Sequence, residues 1–153
     1  MTPDLRHAPA VGPADLRHLL SHVHRVERRV RRAVAARRAT DPAPDDPYRG
    51  LYLTPESVEQ ILATQWIPDD AIDQGPVEPG SRLDRLTVAF GLRALDVELL
   101  LIALAPEVDA RFERLYGYLN DDVTRGRPTV GLALELCGLP AAGPGRFLLA
   151  PNA

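Results

Sequence analysis

The chain has 153 residues, 45% of them apolar and 25% charged, with a net charge of −3. That is enough for one domain with a real core, and the mixture excludes a fibrous or disordered polymer. The single Cys137 excludes an internal disulfide framework and fits a reducing compartment, and the first residues lack the apolar core of a secretory signal, so a cytoplasmic protein is expected.

Charge is distributed unevenly. Residues 1–40 carry nine arginines against three acids, +6, while residues 41–153 carry nine against eighteen, −9. All the basic residues are arginine. The pattern reads as a basic arm joined to an acidic body.

Residues 1–12 are rich in Pro and Ala without a period and read as a mobile tail. Pro13, Ala14 and Asp15 open a helix over 13–40, with proline suited to a first turn and a carboxylate favoured there by the dipole. Leu16, Leu19, Val23, Val26, Val30 and Ala33 alternate spacings of three and four, a heptad seam too short to specify a coiled coil by itself. Arginines fill much of the remaining surface, among them Arg25, Arg28, Arg29 and Arg32. A lone helix of this length is marginal in water, and pairing it with its own copy would oppose two basic surfaces. It is therefore expected to fold back on the acidic body of its own or a neighbouring chain, with Arg25, Arg28 and Arg32 near carboxylates.

A proline-rich linker over 41–47 cannot continue that helix. The body is placed over 46–150. Thr54, Pro55 and Glu56 mark a helix start, with Val58, Ile61 and Leu62 on its buried face. Residues 68–80 read as a loop. Ser81 caps the next helix, whose inward positions are Leu83, Leu86 and Phe90, and Gly91 stops it. Residues 97–105 are almost all apolar, too short a run to cross a bilayer and too greasy for a surface helix, so they form the centre of the core. Pro106 is expected to end that helix or open the next. Val108, Phe112, Leu115, Tyr116 and Leu119 draw one stripe down a second helix, and a last helix spans 128–137. The core expected from these patterns is Leu86, Phe90, Val97, Leu100, Leu101, Leu104, Phe112, Leu115, Leu119 and Leu134.

The strings DPYRGLYL, RLDRLTVAFGL and LLIALAPEVDARFERLYGYLNDDVTRGRPTVGLALEL together resemble the N-terminal region of a family of large bacterial AAA-type ATPases, whose relatives are encoded with phage-tail-like contractile injection particles. That region is a winged-helix variant. The resemblance implies a mostly α-helical, winged-helix-like domain preceded by the basic amphipathic helix. Only Phe147, Leu148 and Leu149 are available to begin a wing hairpin, so the wing is expected to be short or incomplete. The motor of such a parent would lie C-terminal to this chain.

The residues themselves carry no catalytic pattern. A P-loop needs a glycine-rich turn and a lysine, and the glycines of 138–145 are interrupted by prolines and followed by no lysine. His18 and His22 are spaced for one helix face, but no remote Cys or His cluster completes a zinc site, and a solvated polar face is the simpler expectation. Asp121 and Asp122 suit an Asx-type turn that positions Arg125 and Arg127. Helix 128–137 offers Thr, Val, Leu and Glu rather than the donors that read bases, so nucleic acid is disfavoured, with a DNA-binding winged-helix regulator as the alternative. The expectation is a non-catalytic recognition or assembly domain needing no metal or cofactor. Its partner would be a protein, the ATPase module of a longer parent or a second copy, with no membrane. Candidate contacts are Arg25, Arg28, Arg29, Arg32, Arg125 and Arg127.

Overall fold

A computed structural model describes residues 12–40, 55–63 and 77–141. It contains α1 (Pro13–Thr40), α2 (Pro55–Ala63), α3 (Arg82–Phe90), α4 (Ala94–Val108), α5 (Arg111–Asn120) and α6 (Val130–Leu136). No strand occurs among the described residues. The mostly helical class expected from the sequence is what is observed. The 1–11 part of the tail, the 41–47 linker and the wing candidate at Phe147 lie outside the described residues.

Helix α1 packs against α4, α5 and α6, and α4 in turn contacts α5 and α6. Val23, Val26, Val30 and Val34 of α1 are completely or almost completely buried in one cluster with Val97, Leu101, Ile102, Ala105, Phe112, Leu115, Tyr116 and Leu119. The core therefore lies between α1 and the α4–α5 pair, and the basic helix is one of its walls. The seam departs from a heptad at both ends: Leu16 is half exposed, and Val34 supplies the last buried valine while Ala33 is only partly buried. A straight helix of about 3.6 residues per turn drifts away from a 3.5-residue repeat, so the buried stripe moves sideways by one position over its length.

Two local expectations are corrected. Pro106 neither ends nor opens a helix but sits inside α4 near its C-terminus. The carbonyl it cannot serve, that of Ile102, accepts a hydrogen bond from the Tyr116 hydroxyl at 2.8 Å instead. Helix α4 continues to Val108, and Asp109 N–H closes it onto Ala105 at 2.9 Å. The second correction concerns α3. Leu83 enters the core, but Leu86 is 38% and Phe90 69% exposed, because this nine-residue helix meets the bundle at its first turn and then passes beyond it. Of the other core candidates, Val97, Leu101, Phe112, Leu115, Leu119 and Leu134 are buried, while Leu100 and Leu104 are partly so.

The ends of the short helices are tied to α1. Ser81 caps α3, accepting from Asp84 N–H at 3.1 Å, and the Asp15 carboxylate of α1 accepts from Arg82 N–H at 3.1 Å. At the opposite poles, Arg31 donates to the Leu62 carbonyl of α2 at 2.6 Å and Arg37 to the Leu119 carbonyl of α5 at 2.7 Å. An acid at a helix N-terminus and guanidinium groups at two C-termini each complement the local dipole. Much of what reads in sequence as a basic arm is a strut that satisfies helix ends.

Candidate functional site

The arginines expected to contact a partner fall into three groups. Arg25 and Arg29, one turn apart on α1, converge on the two carboxylate oxygens of Glu98 of α4 at 2.7 and 2.6 Å. All three side chains are roughly four-fifths buried. The helix folds back onto an acidic residue as the charge asymmetry predicts, but of the arginines expected at carboxylates it is Arg25 that meets Glu98, joined by Arg29, while Arg32 faces outward because it lies on the side of α1 away from α4. Arg28 and Arg32 lie on the exposed side of α1. Arg125 and Arg127 stand on the α5–α6 loop.

That loop is built rather than loose. Asp121 takes the left-handed conformation, with φ 55°, that closes α5. The Asp122 carboxylate accepts from Thr124 N–H at 3.0 Å and from its hydroxyl at 2.6 Å, the Asx-type turn expected there. Asn120 donates to the carbonyls of Arg125 and Arg127, and its own carbonyl accepts from Thr129, the residue whose hydroxyl caps α6. Gly117 lets the loop approach closely, since a Cβ there would stand 3.2 Å from Val123 Cα. The two guanidinium groups themselves are held by Asp122 and by Glu107, at 2.9 and 2.6 Å. Both pairs are largely exposed, so salt weakens them and a competing carboxylate could exchange with them.

His18 and His22 are not part of a solvated face. They are 5% and 2% exposed and meet edge to face, Nε2 to Nε2 at 3.2 Å. The donor-only guanidinium of Arg25 lies 3.2 Å from His22 Nδ1, so that nitrogen accepts and the ring proton is on Nε2, donated to His18. His18 Nε2 accepts from Glu78 N–H as well, at 3.2 Å, which places the His18 proton on Nδ1, 3.8 Å from the Glu78 carboxylate. A polar chain thus runs from Glu98 through Arg25, His22 and His18 to the loop before α3. Burial, with the Arg25 guanidinium and His18 beside it, pushes the His22 pKa down to about 4, against an opposing pull from Glu98. Three of the four ring nitrogens are directed at these partners, His18 Nδ1 is buried without a hydrogen bond, and no group of three potential metal ligands occurs among the described residues.

A second buried charge escaped the sequence reading. Glu27 is 5% exposed and accepts from Arg31 at 2.7 Å, with Arg111 of α5 at 3.8 Å. The same two arginines reach the carbonyls of Leu62 and Ile61, so one buried acid holds the pair that closes α2. The available signal was spacing: Glu27 precedes Arg31 by four and follows Val23 by four, on the edge of the buried stripe. Cys137 is half-buried, and burial raises its thiol pKa despite an opposing effect of Arg29.

Helix α6 follows the α5 turn where a helix–turn–helix protein carries its reading helix. Leu132, Leu134 and Leu136 are buried, and its exposed positions include Val130 and Glu135. No helix among the described residues is long and apolar enough to cross a membrane.

An all-helical bundle of winged-helix type, with an additional long helix forming one wall of its core, is the class this geometry defines. The chain belongs to the family described as winged helix domain, variant, whose family model matches residues 13–142 and so includes α1. Such a domain fits a regulatory or recognition role and is generally non-catalytic. No curated protein and no solved structure matches the chain.

Proposed function

We propose that this chain is a recognition or assembly module that binds a protein. By the resemblance of its central strings, it is the N-terminal module of a AAA-type ATPase linked to a contractile injection apparatus. The observation that supports a protein partner over a nucleic acid is where the positive charge resides. Arg25, Arg29, Arg31, Arg37 and Arg38 are engaged by Glu98, Glu27, Glu59 or helix-end carbonyls. A duplex is bound through guanidinium groups free to replace counterions, and read through donors on the helix in the groove. Here α6 offers Val130 and Glu135, and the arginines of α1 are largely committed inside the fold. The exposed Arg28 and Arg32 on α1, with the exchangeable pairs of Arg125 and Arg127, are the basic side chains offered to a protein surface.

The test mixes the full chain with the ATPase module of its parent in one arm and with duplex DNA in the other. Co-elution with the ATPase module on size exclusion is expected, weakened by charge reversal at Arg32 and Arg127. Duplex binding is expected to be weak, salt-sensitive and indifferent to sequence. Tight, sequence-selective duplex binding at physiological salt would establish the DNA-binding regulator instead.

A further inference from the structure

We propose that the exposed length of α3 is a docking site for an acidic amphipathic segment of a partner protein. Leu83, Leu86 and Phe90 form one helical stripe, with Leu83 buried in the core and Leu86 and Phe90 left in solvent. Val88, on another face of the same short helix, is 75% exposed. Scattered surface leucines are ordinary, but Leu86 and Phe90, one turn apart on the same face, form a continuous apolar ridge, with Val88 exposed on the other side of the helix.

The charges beside the patch select its occupant. Arg82 precedes Leu86 by four and Phe90 by eight, so it continues their ridge, and the exposed Arg85 flanks it. Most other described arginines are held by acids or carbonyls, among them Arg25 and Arg29 by Glu98, Arg93 by Asp96, Arg125 by Asp122 and Arg127 by Glu107; Arg32 of α1 and Arg114 of α5 are exceptions. The guanidinium groups of Arg82 and Arg85 have no carboxylate or carbonyl partner among the described residues. In a body that carries twice as many acids as arginines, two guanidinium groups with no partner among the described residues thus stand beside the exposed apolar ridge. Apolar anchors next to unpaired guanidinium groups are complementary to a helix with an apolar stripe edged by carboxylates.

The surface is also preorganised. Ser81 and the Asp15 carboxylate hold the first turn of α3, and Gly91, at φ 61°, closes the last, so little ordering is required on binding. A second copy is a poorer occupant, because a two-fold contact across this ridge would oppose Arg82 and Arg85 to their own equivalents. An anionic membrane is disfavoured by the acidic body that carries the helix.

This inference rests on the recognition-module reading and is tested apart from it. The probe is a synthetic amphipathic peptide of about four helical turns with leucines on one stripe and glutamates along its edges. Its control has lysine in place of every glutamate. Binding to the full-length chain is followed by fluorescence anisotropy and by amide chemical shifts. The acidic peptide is expected to bind at least about tenfold tighter than the basic one, since like-charge juxtaposition penalises the latter. Shifts should centre on Leu86 to Phe90. Phe90→Ala and Arg85→Glu should each weaken it by about tenfold or more with an unchanged circular dichroism spectrum, because both side chains are exposed. Equal affinity for the two peptides, shifts centred elsewhere, or no binding would overturn the proposal. So would concentration-dependent dimerisation that Phe90→Asp abolishes, or binding to vesicles of anionic phospholipid in preference to the peptide. If the ATPase module co-elutes equally with wild type and Phe90→Asp, the recognition reading stands and this surface falls.

Discussion

The Tyr116 hydroxyl donates a 2.8 Å hydrogen bond to the Ile102 carbonyl, the acceptor that Pro106 leaves without its helical donor. Tyr116 is fully buried, and burial pushes its hydroxyl pKa well up, so the proton stays where the carbonyl needs it. One side chain of α5 thereby lets α4 carry a proline and still run to Val108. Tyr116→Phe leaves the carbonyl buried and unsatisfied, and the expected loss is about 1–3 kcal/mol. In a Pro106→Ala background an ordinary backbone amide takes over that carbonyl, so the same substitution should cost less. A double-mutant cycle by urea denaturation measures the difference, and strictly additive losses would contradict the relationship.

Why Pro106 misled the sequence reading is instructive. Proline marks a helix boundary by default, and the compensating donor lies on another helix, at a place no local pattern reveals. The α1 helix was legible because its apolar spacing is helical, but the burial of His18 and His22 was not. Periodicity counts apolar residues, and these two imidazoles are buried through a contact with each other and with Arg25 and Glu78 that no local pattern shows. In α3 the stripe was legible, whereas its emergence from the bundle depends on where the neighbouring helices end. The Arg25–Glu98 contact joins residues 73 positions apart. Net charge predicted its sign but not its partner.

Acid should weaken the fold through His22. The folded pKa, about 4, lies below the ordinary imidazole value of 6.5, so the native state favours the neutral ring. That contribution is complete above the unfolded pKa and is lost as pH falls from about 6.5 towards 4, on the order of 2–3 kcal/mol by linkage. Protonation would place an N–H at Nδ1 against the Arg25 guanidinium, with His18 adjacent and Glu98 opposing the penalty. Melting temperatures between pH 7 and pH 4.5 should fall more steeply for the wild type than for His22→Gln. Parallel curves would show that His22 does not carry the dependence.

Removing Glu98 should separate structural arginines from exposed ones. With Glu98→Gln, Arg25 and Arg29 are left about four-fifths buried and facing each other, an expected loss of about 1–3 kcal/mol, between the values for exposed and fully buried pairs. Arg32→Ala, on the outer side of α1, should change stability by less than about 0.5 kcal/mol. Thermal melts of the two variants make the comparison. Equal effects would mean that α1 is held by its apolar face alone.

The strut role of α1 makes the strongest demand on the chain. Each buried valine contributes on the order of 1.5 kcal/mol, so Val23, Val26, Val30 and Val34 together approach the roughly 5–15 kcal/mol by which a typical domain is stable. The helix also supplies Asp15 to the start of α3, Arg31 to the end of α2 and Arg37 to the end of α5. A fragment of residues 41–153 would expose the apolar faces of α4 and α5 and leave those helix ends uncapped. It is expected to lose cooperative melting. Proteolysis of the intact protein near Pro44 should be milder, because α1 can stay docked without a covalent link. The cleaved complex should then melt lower than the intact chain and at a temperature that rises with concentration, as association requires. Circular dichroism melts of both forms give the answer: a 41–153 fragment that unfolds cooperatively near the temperature of the intact protein would show that the domain folds without α1.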